Sequence, residues 1–313
     1  YAEAGIIRFF RKPDRGGKSS CVNYALAESH GEIIVVVDTD SSLEPTTLWE
    51  LVQPFSDPRV GAVGGTIRIR NRTRNLVTWC QAYEYATTIF IGRQVSSRAG
   101  IMSVASGALG AFRREAVERV GGWDVGPGED GDITIKVRKL GYRAVFAPYA
   151  VCLTDGPHTW RGLFRQRRRW NRGLVRYKCR KHVDMAAIWS SSFNWGNFLL
   201  ILNVWIFRLF LLWLFWLTLV LTVFRWNNES KYWLFTGFLA YQIAGIIEAC
   251  VLLYYSDRKL MDLQTAVITP FMTVYNTWLS LARLVSVTEE ALWRKSYTDN
   301  YVPPKVRSAT IHW

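Results

Sequence analysis

The 313-residue sequence contains few cysteines, and their spacing links none of them to another. A zinc site or a disulfide framework is recognised from closely spaced cysteines and histidines, and no CxxC pair or Cys/His cluster is present. The five cysteines are Cys21, Cys80, Cys152, Cys179 and Cys250. Their scatter excludes both motifs and predicts reduced, mostly buried thiols in a cytosolic or membrane setting.

The sequence also lacks internal repeats, low-complexity tracts and a signal-like segment. It starts at Tyr1 without Met, and Ala2–Gly5, which precedes the first predicted strand, is typical of the end of a helix. An α/β domain does not normally begin there. We therefore expect a fragment that lacks its N-terminal part.

Acidic residues are absent between His158 and Val183, where there are ten arginines or lysines. The whole chain has 39 Lys and Arg against 25 Asp and Glu, a formal net charge of +14. Such a basic block favours nucleic acid, anionic lipid or an anionic substrate as partner. Because the block runs into a hydrophobic segment, the positive-inside rule favours a lipid bilayer and a cytosolic position over nucleic acid.

Residues 1 to about 155 alternate short apolar runs with amphipathic stretches, which is typical of a largely parallel sheet covered by helices. The predicted strands are Ile6–Phe10, Ile33–Val37, Val60–Arg70 and Ala144–Phe146. The predicted helices are Lys18–Ser29, Pro45–Phe55, Asn75–Val95, Arg113–Val120 and Asp132–Leu140. We expect an α/β domain over residues 1–157.

The rest of the chain is predicted to be helical and membrane-associated. Arg161–His182 interleaves arginines with apolar side chains, which predicts an amphipathic helix on a bilayer within an interfacial region, residues 158–193. Three apolar segments are long enough to span roughly 30 Å of hydrocarbon. They are Phe198–Phe224, Tyr232–Tyr255 and about Ala266–Val287. We expect a transmembrane domain over 194–288 and a basic tail over 289–313.

The third apolar segment is less regular than the other two. It contains Pro270, Asn276 and Arg283, so a re-entrant or interfacial position is an alternative to a full crossing. Three crossings would also place the basic tail outside, against the positive-inside trend.

Asp38 and Asp40 directly follow the apolar run Ile33–Val37. In open parallel sheets, ligands bind outside the carboxyl ends of the strands. Carboxylates in that position can bind Mg²⁺ or Mn²⁺, and the cation can hold a diphosphate. The alternative is a loop capped by aspartate, because Asp also serves turns. The position after a buried strand favours the metal site.

Glu129 and Asp130 follow the turn formed by residues 126–128, Gly-Pro-Gly. A carboxylate here can act as the general base that takes a proton from an attacking hydroxyl. The alternative is capping of the helix that follows, for which Asp is well suited. Asp132 can serve as that cap and leave Asp130 free.

Three arginines stand between Gln166 and Trp170. Guanidinium groups can stabilise a diphosphate leaving group, and a sugar ring can stack on the indole. The alternative is an interfacial helix whose long basic side chains reach lipid phosphates. Both hold together if Arg169 and Trp170 face the site while Arg167 and Arg168 face lipid.

Together these residues resemble the D, DxD, D, QxxRW signature of membrane-bound, processive family-2 glycosyltransferases, the group of hyaluronan, chitooligosaccharide, poly-N-acetylglucosamine and cellulose synthases. The resemblance covers nearly the whole chain. It includes the family's lysine segment at Arg15–Lys18 and its acceptor-side segments at Ser106–Ala108 and Gly121–Trp123. It implies a GT-A-like, mostly parallel sheet domain, incomplete at its N-terminus, followed by an α-helical transmembrane domain.

The resemblance also implies a role for each motif residue. Asp38 and Asp40 would bind Mg²⁺ or Mn²⁺, and Asp130 would be the catalytic base. The donor-binding residues would be Lys18, Asp38, Asp40 and Arg169. The acceptor-binding residues would be Glu129, Gly107, Gln166 and Trp170. The implied reaction is inverting transfer of a sugar, with N-acetylglucosamine the first choice, from a UDP-sugar to a β-linked polysaccharide or oligosaccharide at the cytosolic membrane face, with coupled export.

Two departures from the family pattern bear on these expectations. Gly128 stands where many members have Thr, which favours chitooligosaccharide- or hyaluronan-like relatives. The family's first aspartate, which binds uracil, lies on an earlier strand that this sequence does not contain. We therefore expect the fragment to bind donor poorly.

Two other functions fit parts of the sequence. One is a non-processive membrane transferase of the same family that glycosylates a lipid. The other is a membrane transport or scaffold protein in which the acidic pairs are only caps. Arg208 and Glu248, which lie inside apolar segments, favour transport because intramembrane charge is costly and usually functional.

Overall fold

The computed structural model describes residues 5–298 and 303–308, which form one mixed sheet with helices around it and a helical C-terminal part. The strands are β1 Ile33–Val37, β2 Ser42–Leu43, β3 Val60–Ile69, β4 Leu109–Arg113 and β5 Arg143–Thr154. The helices of the sheet domain are α1 Gly17–Ala27, α2 Thr47–Val52, α3 Leu76–Glu84, α4 Gly92–Arg98, α5 Arg114–Arg119 and α6 Glu129–Lys139. The later helices are α7 Trp160–Leu174, α8 Trp195–Asn203, α9 Leu211–Arg225, α10 Asn228–Tyr255, α11 Lys259–Ala266, α12 Thr269–Trp293 and α13 Pro304–Ser308.

Shorter helical turns join several of these helices. Three π-helical stretches continue α3, α7 and α8, and three 3₁₀ turns follow other elements. The π stretches are Tyr85–Ile91, Val175–Lys181 and Val204–Phe210. The 3₁₀ turns are Gln53–Ser56, Val183–Ala186 and Lys295–Thr298. The predicted helix Arg161–His182 is thus present as α7 and its π continuation.

The sheet has the strand order β1-β4-β3-β5-β2. Only β3 and β5 pair in parallel among the described strands, and the other three pairings are antiparallel. The α/β class is confirmed, but the sheet is mixed rather than mostly parallel. The reason is β4, which was not predicted and which inserts between β1 and β3 in the opposite direction.

The predicted strand Ile6–Phe10 is wrong, because these residues form bends and irregular backbone. Ile6 is 68% exposed and Phe9 is 74% exposed, so neither side chain packs on the sheet. None of the described strands pairs with this segment, and without a ladder an apolar run has no reason to stay extended. The expected helix end at Ala2–Gly5 lies outside the described residues apart from Gly5.

Helix α6 packs closely on β3. Ile133 and Val137 are fully buried against the sheet. A Cβ at Gly61 of β3 would lie 2.6 Å from the Val137 side chain, so glycine is needed for this approach. The packing fixes the N-terminal end of α6, where the acidic pair Glu129 and Asp130 stands.

The C-terminal helices differ in exposure. Two segments, Trp195–Arg225 and Asn228–Tyr255, are long and apolar enough to cross a membrane by length and composition. Helix α12, which contains most of the third predicted span, is not one of them, and it packs against α7 through buried residues such as Tyr275 and Leu279. Two cysteines, Cys80 and Cys152, are buried, whereas Cys21 and Cys250 are exposed.

Candidate active site

Asp38 and Asp40 lie in the turn that follows β1. The turn is closed by the N–H of Ser41, which donates to the carbonyl of Asp38 at 3.1 Å. Asp38 is partly buried and Asp40 is exposed. The Asp38 carboxylate accepts a hydrogen bond from the Lys18 ammonium in α1. Two of the predicted donor residues are therefore in direct contact.

Lys18 also reaches the acidic pair. Its Nζ donates to the carbonyl of Gly107 at 3.2 Å and lies 3.9 Å from Oε1 of Glu129. Burial by itself lowers the pKa of Lys18, but the hydrogen bond to Asp38 and the nearby carboxylates outweigh it and raise the pKa. The lysine therefore carries a positive charge between the two acidic motifs.

Asp130 is held by backbone donors on both oxygens. Oδ2 accepts from the N–H of Gly107 at 3.0 Å, and Oδ1 accepts from the N–H of Gly131 at 2.8 Å. The helix begins at Glu129 with Gly128 as N-cap and without a side-chain cap bond. Asp130 is thus oriented toward the Gly107 segment rather than used as the helix cap.

Asp132 is not the helix cap either, contrary to expectation. It is buried, and its two oxygens contact Lys181 and His182 from the end of the π-helix that continues α7. Asp132 pairs with Lys181 and His182 instead of capping the helix, because an unpaired carboxylate in this buried site would be costly and both partners supply N–H groups.

The side chain of Glu129 is 14% exposed. Burial, together with the neighbouring charge of Asp130, raises the pKa of Glu129 to about 7, although Lys18 and Arg169 act in the opposite direction. A carboxyl group with such a pKa exchanges protons near neutral pH.

Donor-side and acidic residues share a small cavity of about 10 Å³, room for one water molecule. Its lining includes Lys18, Gly107, Trp123, Glu129 and Asp130. A sugar is larger than this cavity.

Helix α7 and its π continuation pack on the turn before Glu129. A Cβ at Gly173 would lie 2.8 Å from the carbonyl oxygen of Pro127. Gly128 has φ +83°, and a Cβ there would meet the Tyr177 ring at 2.9 Å. Glycine at position 128, where many members of the resembled family have Thr, is therefore required by the backbone conformation and by the packing of Tyr177.

The arginines of α7 form ion pairs within the chain. Arg167 is buried and donates to Glu84 at 2.7 Å. Arg168 donates to Glu289 of α12 at 2.7 Å, and Arg172 donates to the same carboxylate at 2.6 Å. The expectation that Arg167 and Arg168 face lipid phosphates is therefore wrong, because acidic side chains of α3 and α12 take both guanidinium groups.

The ring of Trp170 and the side-chain oxygen of Gln166 are two groups of α7 that a ligand could contact. Trp170 is 40% exposed and stacks on the Arg167 guanidinium, whose carbon lies 4.3 Å from the ring centre. Oε1 of Gln166 is buried and has no hydrogen-bond partner in the described part of the chain. A buried acceptor without a donor is rare, so this atom is suited to a hydroxyl of a bound sugar.

Sequence reasoning missed Arg93, Glu84 and Tyr177. Nη1 of Arg93 in α4 is buried and has no hydrogen-bond partner among the described residues. Burial lowers the pKa of Arg93, and the nearby charge of Asp130 offsets only part of this effect. Glu84 anchors Arg167, and Tyr177 packs under Gly128 and Gly131. These residues belong to ordinary amphipathic stretches, and no local pattern distinguishes them.

The protein itself offers few ligands for a cation. No group of three or more His, Cys, Asp or Glu side chains converges anywhere in residues 5–298 and 303–308. Asp38 and Asp40 supply two oxygen donors at the end of β1. This set fits Mg²⁺ or Mn²⁺ bound together with a diphosphate, because such ions take their remaining ligands from phosphate oxygens and water.

Comparison with known proteins gives a family match over most of the chain. The model described as "Glycosyl transferase family group 2" matches residues 33–246. The probable glycosyltransferase YdaM of Bacillus subtilis is 36% identical over 168 residues, which are 52% of this chain and 40% of that protein. The poly-beta-1,6-N-acetyl-D-glucosamine synthase of Staphylococcus aureus is 31% identical over 159 residues, 50% of this chain and 38% of the synthase. The matched part is therefore about two fifths of the length of these relatives.

A solved structure with a similar fold covers nearly the whole chain. The mannosyltransferase PcManGT from Pyrobaculum calidifontis, in complex with GDP-Man and Mn²⁺, aligns with a TM-score of 0.61. The alignment covers 91% of this chain and 69% of that one, at 24% sequence identity. The likeness supports the GT-A-like arrangement of the sheet domain.

Proposed function

Because the chain belongs to glycosyl transferase family group 2, we propose that it transfers a sugar, N-acetylglucosamine as first choice, from a UDP-sugar to a growing β-linked polysaccharide. The transfer takes place at the cytosolic face of a membrane and is coupled to export. The choice of sugar and product is supported by the likeness to a poly-beta-1,6-N-acetyl-D-glucosamine synthase over half of the chain.

The main structural support for this proposal is the set of hydrogen bonds made by Gly107. Its N–H donates to Asp130 at 3.0 Å, and its carbonyl accepts from Lys18 at 3.2 Å, while Lys18 pairs with Asp38. A Cβ at Gly107 would lie 2.5 Å from Nζ of Lys18. One glycine thus brings the donor motif and the base to the same cleft, which a chance pair of helix caps would not do.

On the donor side, Asp38 and Asp40 would hold Mg²⁺ or Mn²⁺ and, through the cation, the diphosphate. The solved relative's complex with GDP-Man and Mn²⁺ supports a divalent ion. The bound cation supplies charge neutralisation of the leaving diphosphate. Lys18 and Arg169 would donate to the same anion, and the contact of Lys18 with Glu129 at 3.9 Å supports this for the lysine.

At the acidic pair, Asp130 takes the proton from the attacking hydroxyl of the acceptor. The hydroxyl oxygen bonds to the anomeric carbon as the bond to the diphosphate oxygen breaks, so UDP leaves with the electron pair of that bond. One in-line displacement turns an α-linked donor into a β-glycoside. The two backbone N–H groups on Asp130 orient the carboxylate for this transfer.

On the acceptor side, Trp170 offers an exposed ring and Gln166 an unpaired buried oxygen on the same helix. Glu129 and Gly107 line the small cavity beside Asp130. A sugar stacked on the indole would donate a hydroxyl to Gln166 and direct the next hydroxyl to Asp130.

The decisive experiment is to incubate the full-length protein in membranes with a panel of labelled UDP-sugars and to size the product. We expect one UDP-sugar to give a polymer, with UDP release lost in EDTA and restored by Mn²⁺. The Asp130→Asn variant serves as the control for contaminating transferases. Absence of metal-dependent UDP release with every donor would contradict the enzyme proposal.

A lipid acceptor is the second candidate, favoured by one observation. Two helices of the described residues are long and apolar enough to cross a membrane, which would bring a lipid acceptor close to the sheet domain. A single sugar on a lipid in the same assay would identify this activity. The scaffold alternative is weakened, because Asp130 and Asp132 do not cap the helix.

A further inference from the structure

Asp132 lies two residues after Asp130, and its carboxylate contacts Lys181 and His182 at the end of the π-helix that continues α7. It is 3% exposed. Oδ2 accepts from Nζ of Lys181 at 2.6 Å, and Oδ1 lies 2.8 Å from Nε2 of His182. Burial alone would raise the pKa of Asp132, but these two partners outweigh burial and hold the pKa at about 2. The carboxylate is therefore charged over the whole working range of pH.

The ion pair between Asp132 and Lys181 belongs to a larger hydrogen-bond network around the site. Lys181 also binds the carboxylate of Asp124, which accepts from Lys136 at 3.1 Å. The carbonyl of Asp124 accepts from the hydroxyl of Ser19 at 2.8 Å, beside Lys18. The network therefore joins α1, which carries the donor lysine, α6, which carries the acidic pair, and the helix that continues α7.

Lys181 and His182 lie at the far end of the helix that carries Gln166 and Trp170. Helix α7 and its π continuation run without a break from residue 160 to residue 181, so the contacts at Lys181 bear on the position of the helix that carries Trp170. Asp132 sits in the first turn of α6, next to Asp130. The distance between the base and the acceptor platform is thus set where these two elements are joined.

We propose that Asp132 is a positioning residue for sugar transfer, and that its contacts with Lys181 and His182 fix the helix bearing Gln166 and Trp170 at the distance from Asp130 that the acceptor hydroxyl needs. The inference rests on the proposed function of that helix and of Asp130. A misplacement of the acceptor by about 1 Å costs on the order of 10²-fold in rate, whereas of the proposed donor residues only Arg169 lies on this helix.

The chain provides a matched control pair. Lys139 donates to Asp184 at 2.6 Å and joins the same two parts of the chain at the other end of α6. Its side chain is 26% exposed and that of Asp184 is 44% exposed. Lys139→Met therefore removes an ion pair between these parts without touching the buried junction beside Asp130.

The test compares Asp132→Asn with Lys139→Met in the full-length protein in membranes. We expect Asp132→Asn to lower kcat for transfer by about 10- to 100-fold, with much smaller changes in KM for the UDP-sugar, in UDP binding and in hydrolysis of the UDP-sugar by water, because most of the proposed donor contacts lie outside this helix. Lys139→Met should leave all of these within twofold. Hydrogen exchange should accelerate at residues 126–131 and 175–182 in Asp132→Asn only.

A second variant covers the case in which Asp132→Asn does not fold. His182→Gln keeps an N–H donor at a similar reach, and Nδ1 of His182 has no partner to lose within the described residues. His182→Gln should lower transfer more than hydrolysis of the UDP-sugar, as Asp132→Asn does, but by a smaller factor. Its transfer activity should be well above that of His182→Ala.

Two outcomes would overturn the inference. In the first, Asp132→Asn and Lys139→Met lower kcat for transfer by the same factor. In the second, transfer and hydrolysis of the UDP-sugar fall together in Asp132→Asn, in proportion to the fraction of protein that is folded. If the wild-type protein transfers no sugar, the proposed function fails instead. The hydrogen-exchange comparison still shows whether Asp132 fixes the two elements, so the two failures are distinguishable.

Discussion

The guanidinium carbon of Arg167 lies 4.3 Å from the centre of the Trp170 ring, and the same guanidinium donates a 2.7 Å hydrogen bond to Glu84. The hydroxyl of Tyr275 donates to the same carboxylate oxygen at 2.7 Å. A cation placed over an indole ring and fixed by a buried carboxylate restricts the ring's orientation. Trp170 is therefore a rigid platform whose position depends on α3 and α12.

The first prediction concerns this platform. Trp170→Ala should shorten or abolish the polymer while hydrolysis of the UDP-sugar continues slowly, because the donor contacts lie at Asp38 and Lys18. Glu84→Gln should act in the same direction, since it leaves Arg167 without its counter-charge. Product size and UDP release measure the two activities separately. Trp189→Ala is the control, because Trp189 is 86% exposed on a loop; a matching loss there would refute a specific role.

The second prediction concerns the base. Asp130→Asn should cut transfer by about 10²-fold or more, as expected for lost general-base catalysis. The amide oxygen can still accept the N–H of Gly107, so UDP and metal binding should change little. Asp184→Asn, a half-exposed acid outside the cleft, is the control. Near-normal turnover of Asp130→Asn would assign Asp130 a structural role only.

The third prediction concerns the cation. Asp38→Ala and Asp40→Ala should each weaken Mn²⁺-dependent UDP binding, because removal of a carboxylate leaves the charge of the ion undercompensated. Binding is measured by calorimetry with and without EDTA on the purified full-length protein in detergent. Asp155→Ala removes an acid after the end of β5 whose partner is Arg70, and it should leave UDP binding unchanged. Equal UDP affinity in chelator would show that no metal takes part.

The fourth prediction concerns pH. Burial raises the pKa of Glu129 from 4.5 to about 7 in the folded protein, so the native state binds more protons than the unfolded state in that interval. This contribution to stability is fully present below about pH 4.5 and is lost as the pH rises to about 7. Thermal unfolding of wild type and Glu129→Gln should therefore diverge over that range, with the variant less dependent on pH. Parallel melting curves would contradict a raised pKa.

The sequence predicted the elements that have strong local patterns. The apolar run Ile33–Val37 and the amphipathic stretch around Arg161–His182 formed as expected, because periodicity alone determines them. Strand β4, Leu109–Arg113, escaped detection because it is short and follows a glycine-containing segment, and its antiparallel insertion changed the sheet from parallel to mixed.

The candidate site was predictable only in part. Lys18, Asp38 and Asp130 could be named from motifs, and the structure brings them together at Gly107. The partners of Asp132, and the acid that binds Arg167, depend on contacts between residues 50 or more positions apart. Such contacts leave no periodic signal, so Asp132 was misassigned and Glu84 was missed.

The last prediction concerns the path of the product. Polymer made on the cytosolic face must cross the bilayer, and Arg208 lies in the first of the two long apolar segments. Three of the buried residues of that segment, Leu200, Val204 and Leu212, recur at intervals of four and eight, and Arg208, which is exposed, falls on the same spacing. Arg208 is therefore expected to face the other helices and a hydrated path rather than lipid.

Cysteine substitutions test this arrangement, after replacement of the exposed Cys21 and Cys250. Cysteines at Val204 and Leu212 should react with a water-soluble thiol reagent during polymer synthesis, whereas cysteines at Phe207 and Leu217, which are 60% and 56% exposed on the outer face, should not. A cationic reagent should react more slowly than an anionic one near Arg208, because like charges repel. If no position on the inner face reacts and the product is one sugar on a lipid, the channel does not exist and the lipid acceptor replaces the polymer.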